Sequence, residues 1–236
     1  MLLGLGLLSV PGATAEIRQS VPARSAPLPV PRPPDLAVEP PAGAPADAPP
    51  APSESTCYAG LTALGIRFER APAPAAAAAC IVTEPVRLEA IGVDGGEIRW
   101  PDRPLVACAF ARVLGEFTRD IAQPLARGLV GRPLTAFGTG GGFECRARNR
   151  TAGGRVSAHG AGLAVDIAWF AFEGDRRELV ETPGGEDGRR FVATLRKAAC
   201  GWFTTVLGPG SDAAHAGHLH LDREPRGRDG ESRLCQ

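Results

Sequence analysis

Four histidines occur in the chain, and their spacing suggests a single chemical site. His159 stands alone in the stretch RVSAHGAGLAVDIAWF, seven residues before Asp166, and the other three crowd into HAGHLHLD towards the end of the chain. Imidazole nitrogens and a carboxylate oxygen are ligands that zinc takes in catalytic sites, where three protein ligands leave one position open. The two stretches together therefore predict a metal site.

The second stretch contains GHLHLD, which predicts a short strand. Because side chains alternate between the faces of a strand, His218, His220 and Asp222 would share one face. Leu219 and Leu221 would share the other face and enter a core. The two imidazoles would then lie about 7 Å apart along the strand, at roughly 3.3 Å per residue.

The first stretch predicts a tight bend followed by a strand. Gly160 and Gly162 favour the bend directly after His159, and Gly162, Ala164 and Asp166 would share a face of the strand that follows. A carboxylate inside an apolar strand is costly unless it is paired or binds a metal. Two explanations fit these residues: a zinc ion held by His159, Asp166 and one later histidine, or a buried hydrogen bond between aspartate and histidine.

The order of strands and helices around these stretches predicts a small α+β domain, with a largely antiparallel sheet flanked by helices. Strands are predicted in PVRLEAIGV, GEIRW, LTAFG, GHLHLD and GLAVDIAWFAF, the last of them central in the sheet. Helices are predicted at the start of CYAGLTALGIRFERA, in RPLVACAFARVLGEFTRDIAQPLA and in DGRRFVATLRKAACGWFTTVL. The second of these helices rests on apolar residues at three- and four-residue steps: Leu105, Val106, Ala109, Val113, Phe117 and Ile121.

The N-terminal part of the chain is predicted to lie outside this domain. Residues 1–15 are typical of a signal peptide with a cut after Ala15, although no Lys or Arg precedes the apolar run. That run is too short to span a membrane, which takes about 20 residues, and no later stretch is long enough. Residues 16–56 are rich in Pro and Ala and predict a disordered tether, which leaves residues 57–236 as the folded domain.

Six cysteines, all within residues 57–236, predict disulfides. No C-x-x-C spacing indicates a zinc cluster, and an even count behind an export signal is typical of an oxidising compartment. Fifteen pairings are possible. We expect Cys57–Cys80, Cys108–Cys145 and Cys200–Cys235, because each closes a moderate loop and the last would hold the end of the chain. The formal net charge of zero gives no reason to expect nucleic acid as a partner.

Residues 157–166, SAHGAGLAVD, match every fixed position of the motif S-x-H-x-x-G-x-A-x-D. This motif resembles that of the superfamily of zinc D-alanyl-D-alanine peptidases, murein endopeptidases and hedgehog proteins. With FECR, TTVLGPG and AGHLHLD, residues 57–236 are similar to bacterial proteins with an extensin-like C-terminal domain. The resemblance implies the fold of these peptidases and a zinc ion held by His159, Asp166 and His220. It also implies substrate contacts from Arg146 and Ser157, although a solvated surface arginine in CRARNR explains Arg146 equally well.

The same resemblance implies an exported, monomeric zinc peptidase of the periplasm or cell envelope. It would hydrolyse amide bonds in the peptide part of peptidoglycan through a water activated by the metal. Gly217 stands where many members of the superfamily carry an acidic base, so His215 and His218 are the candidates for the base, ahead of Asp212 and Asp222. Of these we expect His215 to be the base and His218, close to the metal but not a ligand, to stabilise the oxyanion. The missing acid also keeps a second hypothesis open, that of a catalytically inactive, zinc-containing module that binds the cell wall.

Overall fold

The computed structural model describes residues 54–148, 153–230 and 232–236. The expected signal peptide over residues 1–15, and the expected tether up to residue 53, lie outside the described residues. The first helix already begins at Glu54, three residues before the predicted start of the domain.

The described residues form four α-helices and eleven strands. The helices are α1 (Glu54–Ala63), α2 (Cys108–Phe117), α3 (Gln123–Leu125) and α4 (Gly185–Ala199). Two π-helical stretches, Thr118–Ala122 and Ala126–Val130, flank α3 and continue α2 along the chain. The strands are β1 (Ile66–Arg70), β2 (Pro85–Val93), β3 (Gly96–Arg99), β4 (Leu105–Ala107), β5 (Leu134–Gly138), β6 (Ala164–Ile167), β7 (Trp169–Phe172), β8 (Arg176–Leu179), β9 (Thr205–Leu207), β10 (Leu219–Asp222) and β11 (Leu234–Cys235).

These strands form two sheets. The larger sheet has the order β1–β2–β3–β5–β7–β8, and β4 pairs with β2 beside this path. The smaller sheet has the order β11–β9–β10–β6. Two pairs, β3–β5 and β9–β11, are parallel, and the other described pairs are antiparallel. The predicted α+β class with largely antiparallel strands is therefore confirmed, with two sheets in place of one.

Aromatic side chains join the helices to the sheets in the core. Phe191 of α4 packs edge-on against Phe170 of β7, with ring centroids 5.1 Å apart. Phe117 of α2 packs edge-on against Phe203, just before β9, at 5.2 Å. All four rings are fully buried, and burial of each such side chain contributes about 1.5–3 kcal/mol to stability. Val165 and Ile167 of β6 and Leu219 and Leu221 of β10 belong to the same buried cluster, which contains none of the candidate ligands.

The prediction of the second helix was wrong at its start and in its face. Leu105 and Val106 belong to β4 because they pair with β2, and the helix begins only at Cys108. Ala109 is exposed and Val113 is half-buried, since the buried face of α2 lies one position further along. Pairing across the sheet thus overrides the helical pattern of the first residues.

Two further predictions of elements need correction. The stretch GLAVDIAWFAF forms two strands in different sheets, separated at the exposed Ala168. The first of them, β6, lies at the edge of the smaller sheet and is not central. The predicted last helix ends at Ala199, and Thr205–Leu207 forms β9 instead.

The three disulfides are Cys57–Cys108, Cys80–Cys145 and Cys200–Cys235. The third pair was predicted correctly, but the other two predicted pairs were wrong. The first disulfide joins α1 to the first residue of α2, and the second joins the loop before β2 to the segment after β5. Three disulfides fit a secreted protein. No helix among residues 54–148, 153–230 and 232–236 is both long and apolar enough to cross a membrane.

Candidate metal centre

His159 lies on a short 3₁₀ turn, Ala158–Ala161, that is fixed from two sides. Gly162 ends the turn in the left-handed region with φ 65°, and its carbonyl accepts a hydrogen bond from the amide of Ala107 at 2.9 Å. A Cβ on Gly160 would lie 3.1 Å from the sulfur of Cys80, so the Cys80–Cys145 disulfide packs directly against the turn. The bend predicted from the two glycines is present, and its close packing explains why no larger residue fits.

Asp166 and His220 face each other across the smaller sheet. The two residues are direct partners in the antiparallel pairing of β6 with β10. His218, His220 and Asp222 line one groove, whereas Leu219 and Leu221 are buried in the core, as the alternation of a strand predicts.

Three residues bring four candidate ligand atoms together where the turn meets these strands: one nitrogen of each histidine and both carboxylate oxygens of Asp166. Nε2 of His159 lies 3.3 Å from Oδ2 of Asp166 and 3.3 Å from Nδ1 of His220. Nδ1 of His220 lies 2.9 Å from Oδ1 of Asp166. Ligand atoms held about 2.0–2.2 Å from a tetrahedral zinc ion are roughly 3.3–3.6 Å apart. Two of the three separations match this spacing, and the third is that of a hydrogen bond.

The outer nitrogen of each imidazole already has an acceptor. Nδ1–H of His159 donates to the carbonyl oxygen of Gly142 at 2.7 Å, and Nε2–H of His220 donates to Oδ2 of Asp222 at 3.0 Å. Ligand histidines are held and oriented by such hydrogen bonds in metalloproteins. With both outer nitrogens protonated, the inner nitrogens direct their lone pairs at one another and at the Asp166 carboxylate. Because these groups repel one another, a cation or an added proton is needed between them.

The same charges govern the proton affinities of these groups. Burial alone would lower the pKa of His220, but hydrogen bonds to Asp166 and Asp222 outweigh it and raise that pKa to about 9. Burial alone would raise the pKa of Asp166, but hydrogen bonds to His159 and His220 hold it well below its ordinary value. A site that favours a proton so strongly has the charge to favour a metal cation as well.

The described residues hold two groups with the composition of a metal site. His159, Asp166 and His220 form one of them, and Cys57, Glu84 and Cys108 form the other. The two sulfurs of the second group are joined in a disulfide, so they offer no thiolate to a metal. The first group fits a divalent cation by ligand type, by spacing and by the hydrogen bonds that orient both rings.

A groove of about 450 Å³ opens beside the converging ligands. His215 lies in its wall on the 3₁₀ turn Ala213–His215, which is capped by Asp212. Oδ1 of Asp212 accepts hydrogen bonds from the backbone amide of His215 at 3.0 Å and from its Nδ1–H at 2.6 Å. The hydrogen bond to His215 lowers the pKa of Asp212. The carboxylate therefore selects the tautomer of His215 that leaves Nε2 free to accept a proton.

His218 lies next to the ligands without joining them. Its Nε2 is 3.4 Å from Oδ1 of Asp166, and its ring centroid is 5.3 Å from that of His215. Burial, and after it the neighbouring histidines, lower the pKa of His218 against the opposing effect of Asp166. The ring is therefore neutral at neutral pH.

The two predicted substrate residues both line the groove. Arg146 is engaged there by Glu144, whose Oε2 accepts a hydrogen bond from its Nε at 2.6 Å. Ser157 is buried directly before the turn of His159, and its backbone bonds to Arg146 and Gly160. Their contact with a substrate remains a prediction.

Three features of the site were missed in the sequence. The carbonyl of Gly142 has no signature there, because any residue carries one. Asp212 was considered only as a base, although an aspartate three residues before the end of a short turn is a typical cap. The orienting role of Asp222 follows from its place on the same strand face as His220, where only the shared face was noted.

Comparison with known proteins gives a family and no individual relative. No curated protein and no solved structure matches the chain. The family model described as "Extensin-like protein C-terminus" matches residues 55–236, which include every described strand, the 3₁₀ turns of His159 and His215, and all three candidate ligands. The chain therefore belongs to the family of extensin-like protein C-terminal domains.

Proposed function

We propose that this protein is an exported zinc-dependent peptidase that hydrolyses amide bonds in the peptide part of peptidoglycan. The observation that carries the proposal is the convergence of His159, Asp166 and His220 at one edge of an open groove. The motif S-x-H-x-x-G-x-A-x-D of this chain resembles that of zinc D-alanyl-D-alanine peptidases and murein endopeptidases. We propose as well that the extensin-like family belongs to the superfamily of these enzymes. The predicted signal peptide and the three disulfides support export.

The three ligands would hold the metal, and the residues around them would handle the protons. When bound, zinc acts as a Lewis acid towards water and an amide carbonyl. Nε2 of His215 accepts the proton of the attacking water, because Asp212 holds the other ring nitrogen in its protonated form. The imidazolium then returns the proton to the leaving amine. His218, neutral and adjacent to Asp166, donates a hydrogen bond to the developing oxyanion.

With His215 as the general base, the peptidase does not need an acidic residue at position 217. Gly217 offers no side chain to carry a proton, and a Cβ there would meet nothing within 4 Å. The Asp212–His215 pair provides a carboxylate-oriented imidazole on the same groove, and such a pair is a common general base. A base from a different position can therefore serve the same water.

The alternative function is that of a zinc-containing module that binds the cell wall without cleaving it. Gly217 is the observation that favours it, since the usual acid is absent from that place. Both functions use the same three ligands, so metal binding alone does not separate them.

The test combines metal analysis with digestion of purified muropeptides by the full-length chain. For the peptidase we expect one zinc per chain and release of new amines from stem or cross-linked peptides. Asp166→Asn should lose both zinc and turnover, because it removes a charged ligand from the site. If the wild type binds zinc but cleaves no muropeptide, the peptidase hypothesis is rejected in favour of the binding module.

A further inference from the structure

Arg226 differs from the other arginines around the groove because no carboxylate neutralises it among the described residues. Arg146 pairs with Glu144, and both Arg148 and Arg155 pair with Glu224. Within the part of the chain that the structure describes, the guanidinium of Arg226 makes one hydrogen bond, from Nη1 to the hydroxyl of Thr205 at 3.3 Å. It is half-buried and lines the groove.

The backbone of Arg226 is held in place by its neighbours. Its amide donates to the carbonyl of Gly230 at 3.3 Å, and its carbonyl accepts from the amide of Ser232 at 3.1 Å. The chain then enters β11, which pairs with β9 and ends in the disulfide between Cys200 and Cys235. A fixed backbone reduces the freedom that Arg226 loses when its side chain binds a partner.

The sheet register gives the place of Arg226 relative to the metal ligands. His220 pairs with Leu207, and two positions further along β10 Asp222 pairs with Thr205, the partner of Arg226. Two residues of a strand span about 7 Å. An extended peptide with an amide at the ligands would therefore present to Arg226 a side chain about two residues away from that amide.

We infer that Arg226 binds a carboxylate of the substrate peptide, carried about two residues from the cleaved amide, and so makes the groove selective for acidic peptides. The inference rests on the proposed function for the position of the cleaved bond. A planar guanidinium with a free edge suits a carboxylate, with which it forms two parallel hydrogen bonds. Glu144 already holds Arg146, so Arg226 is the cation on this groove with a vacant edge among the residues described.

The experiment compares two muropeptides that differ only in one group, a free carboxylate or its carboxamide, two residues from the cleaved bond. Equilibrium binding to the zinc-loaded, full-length protein is measured by calorimetry, and turnover is measured alongside. We expect the wild type to favour the acid about 10- to 100-fold, as a charge-assisted hydrogen bond does. Arg226→Gln should reduce this preference to less than about threefold, and Arg226→Lys should retain part of it.

Arg155→Gln is the matched control. Arg155 shares Glu224 with Arg148, which lines the groove, but 78% of the Arg155 side chain is exposed, so its loss should leave the acid preference unchanged. An equal preference for acid over amide in wild type and Arg226→Gln would overturn the inference while leaving the peptidase intact. If binding favours the acid and this preference depends on Arg226, but no peptide is cleaved, the inference is supported and the proposed peptidase function is rejected.

Discussion

At the scale of single residues, the proton chemistry depends on how Asp212 holds His215. A carboxylate bound to Nδ1–H leaves Nε2 as the acceptor, and it also stabilises the imidazolium after the proton arrives. The histidine is not a metal ligand, so its role can be separated from metal binding. His159 and His220 do not allow this separation, because their loss removes ligand and activity together.

His215→Ala should lower kcat on muropeptides by about 10²- to 10⁴-fold while leaving zinc bound, as loss of a general base does. Asp212→Asn should lower it by a smaller factor and also leave zinc in place, because the imidazole remains but its tautomer is no longer selected. Zinc content and kcat of the purified variants are the measurements. A His215→Ala protein with unchanged kcat would exclude this base.

At the scale of elements, the turn of His159 is positioned by backbone that allows no side chain. Gly162 has φ 65°, and a Cβ on it would lie 2.7 Å from the amide nitrogen of Ala107, in the residue directly before α2. That nitrogen belongs to the backbone, so a change of side-chain rotamer cannot relieve the contact. Any substitution must therefore move the turn away from β4, and His159 moves with it.

Gly162→Ala should lower the free energy of unfolding by about 1–3 kcal/mol, the range for a strained backbone position. It should also weaken zinc binding, because the imidazole of His159 is displaced from Asp166. Gly141→Ala is the control, since Gly141 is exposed, has no positive φ and would place its Cβ in open space. Urea unfolding and zinc titration measure the two effects. Equal stability of the two variants would show that the turn relaxes at no cost.

The two long-range disulfides offer a second test of how elements hold the site. Cys80–Cys145 and Cys57–Cys108 span 65 and 51 residues of chain, so each constrains the unfolded state by about 4 kcal/mol. The first packs against the turn of His159 through the sulfur of Cys80.

Replacement of Cys80 and Cys145 by alanine should therefore lower both stability and zinc affinity. Replacement of Cys57 and Cys108 should lower stability to a similar extent and leave zinc affinity of the folded protein unchanged. Thermal unfolding and zinc titration of the two double variants, after peptide mapping of the wild-type linkages, measure this. Equal loss of zinc affinity in both would mean that the disulfides act on the site only through global stability.

At the scale of the whole molecule, the metal and the proton compete for one position. In the metal-free protein the raised pKa of His220 contributes stability that is complete below about pH 6.5 and is lost as the pH rises through about 9. Zinc requires that nitrogen without its proton, so zinc affinity should rise with pH over the same interval and fall in acid. The core and the three disulfides contain no ligand, so the metal-free protein should stay folded.

We therefore expect the stability of the metal-free protein and the additional stability gained from zinc to change in opposite directions between pH 6.5 and pH 9. The melting temperature of the chelator-treated protein should fall as the pH rises, and the gain from added zinc should grow. His220→Gln should remove both slopes, because it takes away the group that exchanges proton for metal. Differential scanning fluorimetry across this interval, with and without zinc, is the measurement. A chelator-treated wild type with the same pH slope as His220→Gln would contradict the linkage.

Much of the site follows from local pattern in the sequence. Alternation along a strand determines that His218, His220 and Asp222 face one side, because successive side chains of any strand point to opposite faces. Gly162 indicates the bend after His159, because it allows a backbone angle that other residues avoid. These are properties of neighbouring residues, so they need no knowledge of the fold.

Only the tertiary structure decided which distant groups meet. Pairing of β6 with β10 sets Asp166 opposite His220, and the same kind of pairing turns Leu105 and Val106 from a predicted helix into β4. The cysteine partners depend on which segments pack together, and loop length alone did not select them. Hydrogen bonds across a sheet and packing between helices join residues that are far apart in the chain. The energies of these contacts depend on how the distant segments are arranged in the folded protein, and a local sequence pattern does not contain that arrangement.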